Sequence, residues 1–328
     1  MKLRRMFSIF LPLLVIAVVA GLCFGSAPLS LSDLMAAILG RGSFSHSIIL
    51  WQVRLPRVAA GVLAGVGLST AGALLQSVTA NELASPNIIG INSGAGLAVI
   101  VLLSLMPASG AMLPIVAFGG AFGAAMVILA VAGQLGSSKS NIVLIGIAIT
   151  TLFNAAISFL SLLDEGILAQ YNYFTVGSLK GIRLDDLALP GMIILGAFAA
   201  SMGLASRLGV LSLGDAAASA LGIRVKRLRI GAMACAAACA AAVVSFAGLL
   251  GFVGLVVPHI AKYLVGHRPE KLLPASAIIG ALVLVLADLL GRTLFAPSEL
   301  PVGILMSLIG APYFLILLCR RGNYAGIS

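Results

Sequence analysis

Residues 54–96 read RLPRVAAGVLAGVGLSTAGALLQSVTANELASPNIIGINSGAG, and this stretch decides the fold. Apolar residues rich in glycine and alanine fill 57–79, and a second apolar run begins at residue 90. The polar segment NELASPN (81–87) separates them. The hydrocarbon core of a bilayer is about 30 Å thick and needs roughly 20 apolar residues to be crossed by a helix. The stretch therefore predicts two membrane-spanning helices joined by a short polar hairpin.

The composition extends this prediction to the whole chain. Of 328 residues, 61% are hydrophobic and only 9% are charged, whereas soluble domains carry about 25% charged residues. A soluble enzyme is excluded, and we predict an all-α integral membrane protein that forms one polytopic domain over 1–328. About ten apolar runs could span the membrane: 7–25, 57–79, 90–106, 112–135, 142–163, 187–205, 230–250, 252–266, 274–295 and 302–319.

The basic residues predict the orientation of these spans. With a cytoplasmic N-terminus, fourteen of the 20 lysines and arginines fall in inside segments and six in outside segments. Cytoplasmic loops carry an excess of Lys and Arg, so both termini are predicted to be cytoplasmic. The net charge of +10 then reflects the topology of the chain in the membrane, where lipid is a partner. It requires no nucleic-acid partner.

Several motifs add a family resemblance that covers the chain from about Arg54 to Tyr313. They are RLPR (54–57), NELASPN (81–87), GINSGAG (90–96), GFVGLVVPH (251–259), ADLLGR (287–292) and ELPVG (299–303). Together they resemble the permease subunits of the FecCD family, which belong to ATP-driven importers. The sequence departs from the family at Glu82, where the usual residue is proline.

The resemblance implies a function and a set of partners. The chain would be the permease of an ATP-binding-cassette importer that carries an iron(III)–siderophore type of metal chelate, with cobalamin or haem as alternative cargo. It would lie in the cell (cytoplasmic) membrane as a homodimer, with two cytoplasmic ATP-binding subunits and an extracytoplasmic substrate-binding protein. Selectivity would rest with that binding protein.

The chain is predicted to have no cofactor and no enzymatic activity of its own. Residues 133–140, GQLGSSKS, approach a phosphate-binding loop, but Ser138 occupies the position of the second glycine and the segment follows an apolar span rather than a strand. ATP and Mg²⁺ would therefore bind to the partner ATPase. The four cysteines and His259 lack partners at metal-ligand spacing, so we predict no metal site.

One segment between apolar runs, 207–229, is long enough to fold. Its sequence LGDAAASALGI (213–223) predicts a short helix that starts at Gly214 and Asp215 and stops at Gly222. A solvated linker with topogenic charge is the simple alternative. In the family this segment couples the permease to the ATPase, and the matching residues are Gly214, Asp215, Ala216, Leu221 and Gly222.

The resemblance also assigns two further sites. Arg54, Arg57 and Arg292 would receive acidic residues of the binding protein; the simpler alternative is that they anchor helices at the membrane interface. A cytoplasmic gate would be formed by Asn81, Leu83, Ser138, Lys139 and Ser140, although these could be ordinary surface turns. Helices broken at Pro86, Pro258 and Pro301 would be acceptable where neighbouring helices satisfy the freed carbonyls.

Asp288 is an acidic residue deep in an apolar run, and an intramembrane ionisable group is a functional candidate. It supports a rival from another class, an ion-coupled secondary transporter. The sequence offers it no second membrane acid or nearby histidine, so we favour a structural hydrogen-bonding role. A membrane-embedded enzyme is the third hypothesis, but the spans lack HExxH, GxSxG and paired catalytic acids.

Overall fold

A computed structural model describes residues 3–25, 30–87, 90–107, 109–135, 139–163, 165–296 and 298–325. Within these residues the secondary structure is entirely helical. A π-helical turn, Ile49–Arg54, leads directly into α4. The helices are α1 Leu3–Cys23, α2 Leu31–Ile38, α3 Phe44–Ile48, α4 Leu55–Thr79, α5 Ile91–Leu105, α6 Leu113–Leu135, α7 Lys139–Ser161, α8 Glu165–Val176, α9 Leu184–Leu211, α10 Asp215–Ala220, α11 Val225–Ala247, α12 Val253–Val265, α13 Pro269–Thr293 and α14 Val302–Ala325.

Each of the ten predicted apolar runs coincides with a helix, which confirms an all-α membrane protein with about ten spans. In the described part of the chain, seven helical segments are long and apolar enough to cross a bilayer. Three shorter apolar helices, α5, α12 and the first part of α14, account for the other runs. Lipid offers no partners for backbone groups, so a long apolar run has to satisfy them within a helix.

Helix α4 lies at the centre of the bundle and the other spans surround it. In its membrane-spanning part 78% of the residues are buried inside the protein. The corresponding share is 22% in both α1 and α9 and 17% in α7. α4 packs against α13, α11, α12 and α9. The peripheral helices therefore expose apolar faces to lipid, and α4 is held by protein on nearly all sides.

Glycine pairs bring α4 into backbone contact with two neighbours. A Cβ added to Gly72 would lie 1.8 Å from the carbonyl oxygen of Gly254 on α12, and one added to Gly65 would lie 2.3 Å from that of Gly280 on α13. Small residues allow this close approach in lipid, where no hydrophobic force drives helices together. The glycine-rich sequence of α4 thus specifies its central position.

Helix α8 was not among the predicted spans, and it closes one end of the bundle. The backbone N–H of Leu249 donates to the carbonyl of Phe174 at 3.2 Å, and that of Ser178 donates to Ala247 at 2.9 Å. The N–H of Gly303 donates to Gly177 at 3.2 Å. These bonds join the end of α8 to the end of α11 and the start of α14.

Candidate functional site

A group of buried charges lies where α4 begins and α13 ends. Nε and Nη2 of Arg57 each lie 3.0 Å from Oδ1 of Asp288, and Nε lies 3.0 Å from Oδ2 as well. Nη1 of Arg57 donates to Oε2 of Glu299 at 2.8 Å. A planar guanidinium can engage carboxylates through two or more parallel bonds. Arg57 therefore ties together α4, α13 and the connection from α13 to α14.

Two further arginines close the end of α1. Nη1 of Arg54 donates to the carbonyls of Leu22 and Cys23, each at 2.6 Å. Nη2 of Arg292 donates to the carbonyl of Gly21 at 2.6 Å. The last four carbonyls of a helix have no partner inside it, and a positive charge is favourable there. These arginines thus cap the C-terminus of α1.

The structure brings together the three arginines that the sequence nominated for docking. Arg54, Arg57 and Arg292 are 3%, 6% and 3% exposed, and each guanidinium has partners within the chain. Lys180 is exposed beside them, with Nζ 3.9 Å from Oε2 of Glu299. The docking role stays a prediction, and an external carboxylate would have to displace an internal partner to reach these groups.

Glu299 is the internal partner nearest to solvent. Its side chain is 17% exposed and lies between α13 and α14. Burial alone would raise the pKa of Glu299, but the hydrogen bond and charge of Arg57, with Lys180 and Arg292, lower the pKa below its ordinary value. The carboxylate is therefore ionised at neutral pH.

The surroundings of Asp288 bear on the ion-coupled transporter hypothesis. Asp288 is 3% exposed; both of its oxygens are engaged by Arg57, and Nε of Arg292 lies 3.7 Å from Oδ2. Removing one member of a buried ion pair leaves an uncompensated charge. This geometry favours the structural role over a proton relay.

The polar hairpin after α4 packs onto α12 and α14. Oδ1 of Asn81 accepts a hydrogen bond from the N–H of Leu83 at 2.9 Å, which forms a tight local turn. Leu83 lines a small cavity whose other walls come from those two helices. That cavity is lined by Glu82, Leu83, Leu255, Val256, His259, Tyr313 and Phe314.

The second half of the predicted gate lies elsewhere. Ser138 lies outside the described residues. Lys139 and Ser140 begin α7, and Ser140 is exposed and is not among the residues that line the cavity beside Leu83. The role of both gate segments stays a prediction.

A buried polar network that sequence reasoning missed connects α4 to α12. Pro258 has no N–H, so the carbonyl of Gly254, four residues earlier, lacks its helical donor. Nε2 of Gln76 lies 3.5 Å from that oxygen and 3.3 Å from the carbonyl oxygen of Leu255. Nζ of Lys262 donates to Oε1 of Gln76 at 2.8 Å.

Of the three prolines at which broken helices were expected, one lies inside a continuous helix and two lie outside helices. Pro258 lies inside α12, and Gln76 of the neighbouring helix serves its freed carbonyl. Pro86 lies in the hairpin and Pro301 immediately precedes α14, so neither breaks a helix. The sequence feature that could have pointed to this network is Gln76 itself, a single amide side chain in an otherwise apolar run.

The predicted helix of the 207–229 segment is present as α10, over Asp215–Ala220. Gly222 follows with φ of +80°, a conformation that glycine adopts without strain. The N–H of Gly222 donates to Ser219 at 2.9 Å and that of Ile223 donates to Ala218 at 3.0 Å. This bond pair is a Schellman motif, which fixes the exit from the helix.

Helix α10 is tied to α11 and presents apolar side chains outward. Gly214 precedes it with φ of +103°. Oδ1 of Asp215 accepts from Nη2 of Arg229 at 2.7 Å, and Arg229 is 3% exposed. Leu213 and Leu221 are 69% and 66% exposed. The segment is therefore a fixed, partly apolar protrusion.

These features define a class: a multi-pass helical membrane protein with a tightly packed central span and a structured protrusion between its spans. The comparison with protein families makes this specific. The model of the FecCD transport family matches residues 13–320, and the chain belongs to this family. It is therefore a transport component.

Relatives match over nearly the whole chain. The Fe(3+)-citrate import system permease protein YfmE of Bacillus subtilis is 38% identical over 309 residues, which cover 93% of this chain and 92% of that protein. The hemin transport system permease protein HmuU of Yersinia pestis is 35% identical, with coverage of 97% and 96%. A solved inward-facing structure, assigned to the metal-chelate type ABC transporters, superimposes with a TM-score of 0.87 at 29% identity and covers 97% of this chain and 99% of that one.

Proposed function

We propose that this chain is the permease subunit of an ATP-binding-cassette importer that carries an iron(III) chelate. The observation that supports it most is the match, over more than 90% of both chains, to a permease of Fe(3+)-citrate import. The relative named for hemin transport keeps haem as an alternative cargo. The fold, with its central glycine-rich span, is the one found in a metal-chelate type ABC transporter.

The proposed assembly contains two copies of this chain, two ATP-binding subunits and a substrate-binding protein. Both termini and α10 would face the cytoplasm in the cell membrane, as the distribution of basic residues favours. ATP and Mg²⁺ would be bound by the ATPase partner. The cargo would cross between the two permease copies.

Reconstitution tests this function directly. The chain and its ATPase are reconstituted into liposomes and supplied with the binding protein. The liposomes are expected to accumulate iron(III)–siderophore or iron(III)–citrate only when ATP is present on the side of the membrane that carries the ATPase. Haem and cobalamin complete the panel of cargos. Uptake driven by a proton gradient without ATP would reject the proposal in favour of a secondary transporter.

Docking of the binding protein is proposed at the end of the bundle that holds Arg54, Arg57 and Arg292. An external acid would replace Glu299 on Arg57, since the side chain of Glu299 is 17% exposed whereas that of Asp288 is 4% exposed. Glu299→Gln should then tighten docking, because it frees the guanidinium without removing it. Glu270→Gln, an exposed carboxylate at the start of α13, is the matched control.

The docking measurement is the affinity of the binding protein for the reconstituted complex at low and high salt. Charge pairs near the surface are screened by salt, so the difference between variants should shrink at high ionic strength. Double replacement Arg54→Glu/Arg57→Glu should weaken docking. An unchanged affinity in that variant, with the protein still folded, would reject this site.

Coupling to the ATPase is proposed at α10. The exposed Ala216 and Leu221 would contact the ATPase, and Gly214, Asp215 and Gly222 would hold the helix in place. Leu221→Asp should abolish co-purification of the ATPase while membrane insertion persists. Leu184→Asp, an exposed leucine at the start of α9, serves as control. Survival of the complex after deletion of 214–223 would place the coupling site elsewhere.

The cytoplasmic gate is proposed at Asn81 and Leu83 together with Ser138, Lys139 and Ser140. Two copies of each short turn would meet at the inner mouth, where apolar side chains can close a path. Leu83→Ala should make ATP hydrolysis independent of the binding protein. A cysteine at position 83 should cross-link to its copy at rest and lose that link during turnover. Absence of cross-linking in every nucleotide state would exclude this gate.

A further inference from the structure

A cleft of about 520 Å³ opens between the end of α9 and the start of α11, beside α10. It has a cationic wall made by three arginines and an apolar wall made mostly by leucine and isoleucine. None of the lining residues carries a negative charge. The lining consists of Leu204, Arg207, Leu221, Gly222, Ile223, Arg224, Arg227 and Leu228.

Among the described residues, no carboxylate neutralises the three cations of the cleft. Arg207, Arg224 and Arg227 are exposed, and in the described part of the chain none has a carboxylate oxygen within the 4.0 Å of an ion pair. The nearby Asp215 is engaged by Arg229. A concave site lined by charges of one sign concentrates ligands of the opposite sign. The cleft is therefore suited to an anion.

The apolar wall of the cleft is built by two helices that also span the membrane. Leu204 and Leu228 belong to the same helices that cross the membrane as α9 and α11. Ile230, three residues beyond Arg227, is 36% exposed, and α9 is only 22% buried. The arginines thus lie directly next to helix surface that faces acyl chains.

We propose that this cleft binds the phosphate headgroup of an anionic phospholipid, with its acyl chains lying along α9 and α11. Basic pockets between membrane-spanning helices on the cytoplasmic side recognise such headgroups. A lipid fits better than an acidic protein segment because the apolar wall borders α9, whose membrane-spanning part is only 22% buried, and the exposed Ile230 of α11. The assignment to the cytoplasmic leaflet rests on the proposed function.

The bound lipid would join the protrusion that contains α10 to the membrane-spanning helix α9. Leu221 and Gly222 of the cleft belong to the protrusion formed by α10, while Leu204 and Arg207 belong to α9. A headgroup that contacts both would hold the protrusion against the membrane. The site is therefore a place where lipid composition can set the position of α10.

The test measures binding of phosphatidylglycerol and phosphatidylcholine to the purified full chain by native mass spectrometry in detergent. Each basic residue near a membrane surface adds about a factor of five to the affinity for anionic lipid, so three give on the order of a hundredfold preference. The variant Arg207→Gln/Arg224→Gln/Arg227→Gln should lose that preference. Binding of phosphatidylcholine should not change.

A matched variant removes the same charge outside the cleft. Arg5, Arg268 and Lys271 are exposed, and the proposed topology places them on the same side. The variant Arg5→Gln/Arg268→Gln/Lys271→Gln should keep the preference for phosphatidylglycerol. Equal losses in the two triple variants would mean that net charge attracts the lipid, and the site would be rejected.

Three other outcomes overturn the proposal in distinguishable ways. Displacement of phosphatidylglycerol by inorganic phosphate at equal concentration would assign the cleft to a free anion. An unchanged preference in the cleft variant would locate the lipid elsewhere. Loss of ATPase co-purification, with lipid preference intact, would make the cleft a protein interface. Failure of ATP-driven uptake in liposomes would reject the proposed function and leave the lipid measurement valid.

Discussion

The contact of Gln76 with the part of α12 that contains Pro258 leads to a quantitative prediction. Gln76→Met keeps the length of the side chain and removes both its donor and its acceptor. The carbonyl of Gly254 then loses the group at 3.5 Å that serves it, and Lys262 loses an acceptor at 2.8 Å. Gln76 is 2% exposed, so water cannot readily take its place.

The expected loss of stability follows from the cost of unpaired polar groups. A buried donor or acceptor left unsatisfied costs about 1–3 kcal/mol, while hydrogen bonds between membrane helices average about 0.6 kcal/mol. The 3.5 Å bond is long and the Lys262 bond is short and charge-assisted. We expect Gln76→Met to lower the free energy of unfolding by about 1–2 kcal/mol.

A second substitution tests how much of the effect comes from the carbonyl of Gly254 alone. Pro258→Ala restores an N–H four residues after Gly254, so the helix can supply its own donor. In that background Gln76→Met should cost less, and the double-mutant cycle should give a coupling energy of about 0.5–1 kcal/mol. The measurement is reversible unfolding in mixed micelles, with all four proteins compared at one detergent composition.

The control is Gln134→Met, because Gln134 also lies in an apolar span but is exposed. It should change stability by less than about 0.5 kcal/mol. Costs that add within about 0.3 kcal/mol in the cycle would show that Gln76 and Pro258 act independently. The explanation of this buried amide would then be wrong.

Three further predictions concern the charge cluster and the helix contacts. Asp288→Asn should lower stability by about 1.5–3 kcal/mol, because the hydrogen bonds of Arg57 to this side chain lose their charged acceptor and only Glu299 keeps a carboxylate on that guanidinium; denaturation that matches wild type would refute this pair. The pKa of Glu299 is lower in the folded protein than its ordinary value of 4.5. Its ionised carboxylate therefore stabilises the fold in full above pH 4.5, and this stabilisation is lost as the pH falls through the folded-state pKa. The difference in melting temperature between wild type and Glu299→Gln should accordingly vanish in acid. Gly72→Ala should separate α4 from α12 and lower the melting temperature in detergent, because its Cβ would lie 1.8 Å from a backbone oxygen, whereas Gly123→Ala, with nothing within 4 Å, should not.

Much of the fold could be predicted because the bilayer leaves a long apolar run few alternatives. The run predicted at 57–79 is α4, which spans Leu55–Thr79, and the run at 252–266 is α12, which spans Val253–Val265. Helix α8 could not be found in this way, because Glu165–Val176 is short and polar. Its position depends on contacts such as Tyr171 against Gly96, which no local pattern contains.

The candidate sites divide along the same line. The glycines at the two ends of α10 could be predicted from the sequence, because a positive φ after a short helix is a local requirement that Gly222 meets. The partners of Arg57 were not, since Asp288 lies 231 residues further along the chain. The hydrogen-bond partners of Gln76 could not be predicted either. The sequence shows that Pro258 frees a carbonyl but not which helix faces it.

The arginine caps of α1 have a consequence for the synthesis of the protein. The carbonyl of Gly21 is served by a guanidinium 271 residues later in the chain. During translation α1 enters the membrane long before α13 exists. Arg54 can already serve the carbonyls of Leu22 and Cys23, but the carbonyl of Gly21 lacks its donor until almost every other span has been inserted. A chain that stops before Asp288 would leave the carbonyl of Gly21 without its guanidinium and Arg57 without Asp288. Membrane quality control could therefore recognise an unfinished chain at its first helix.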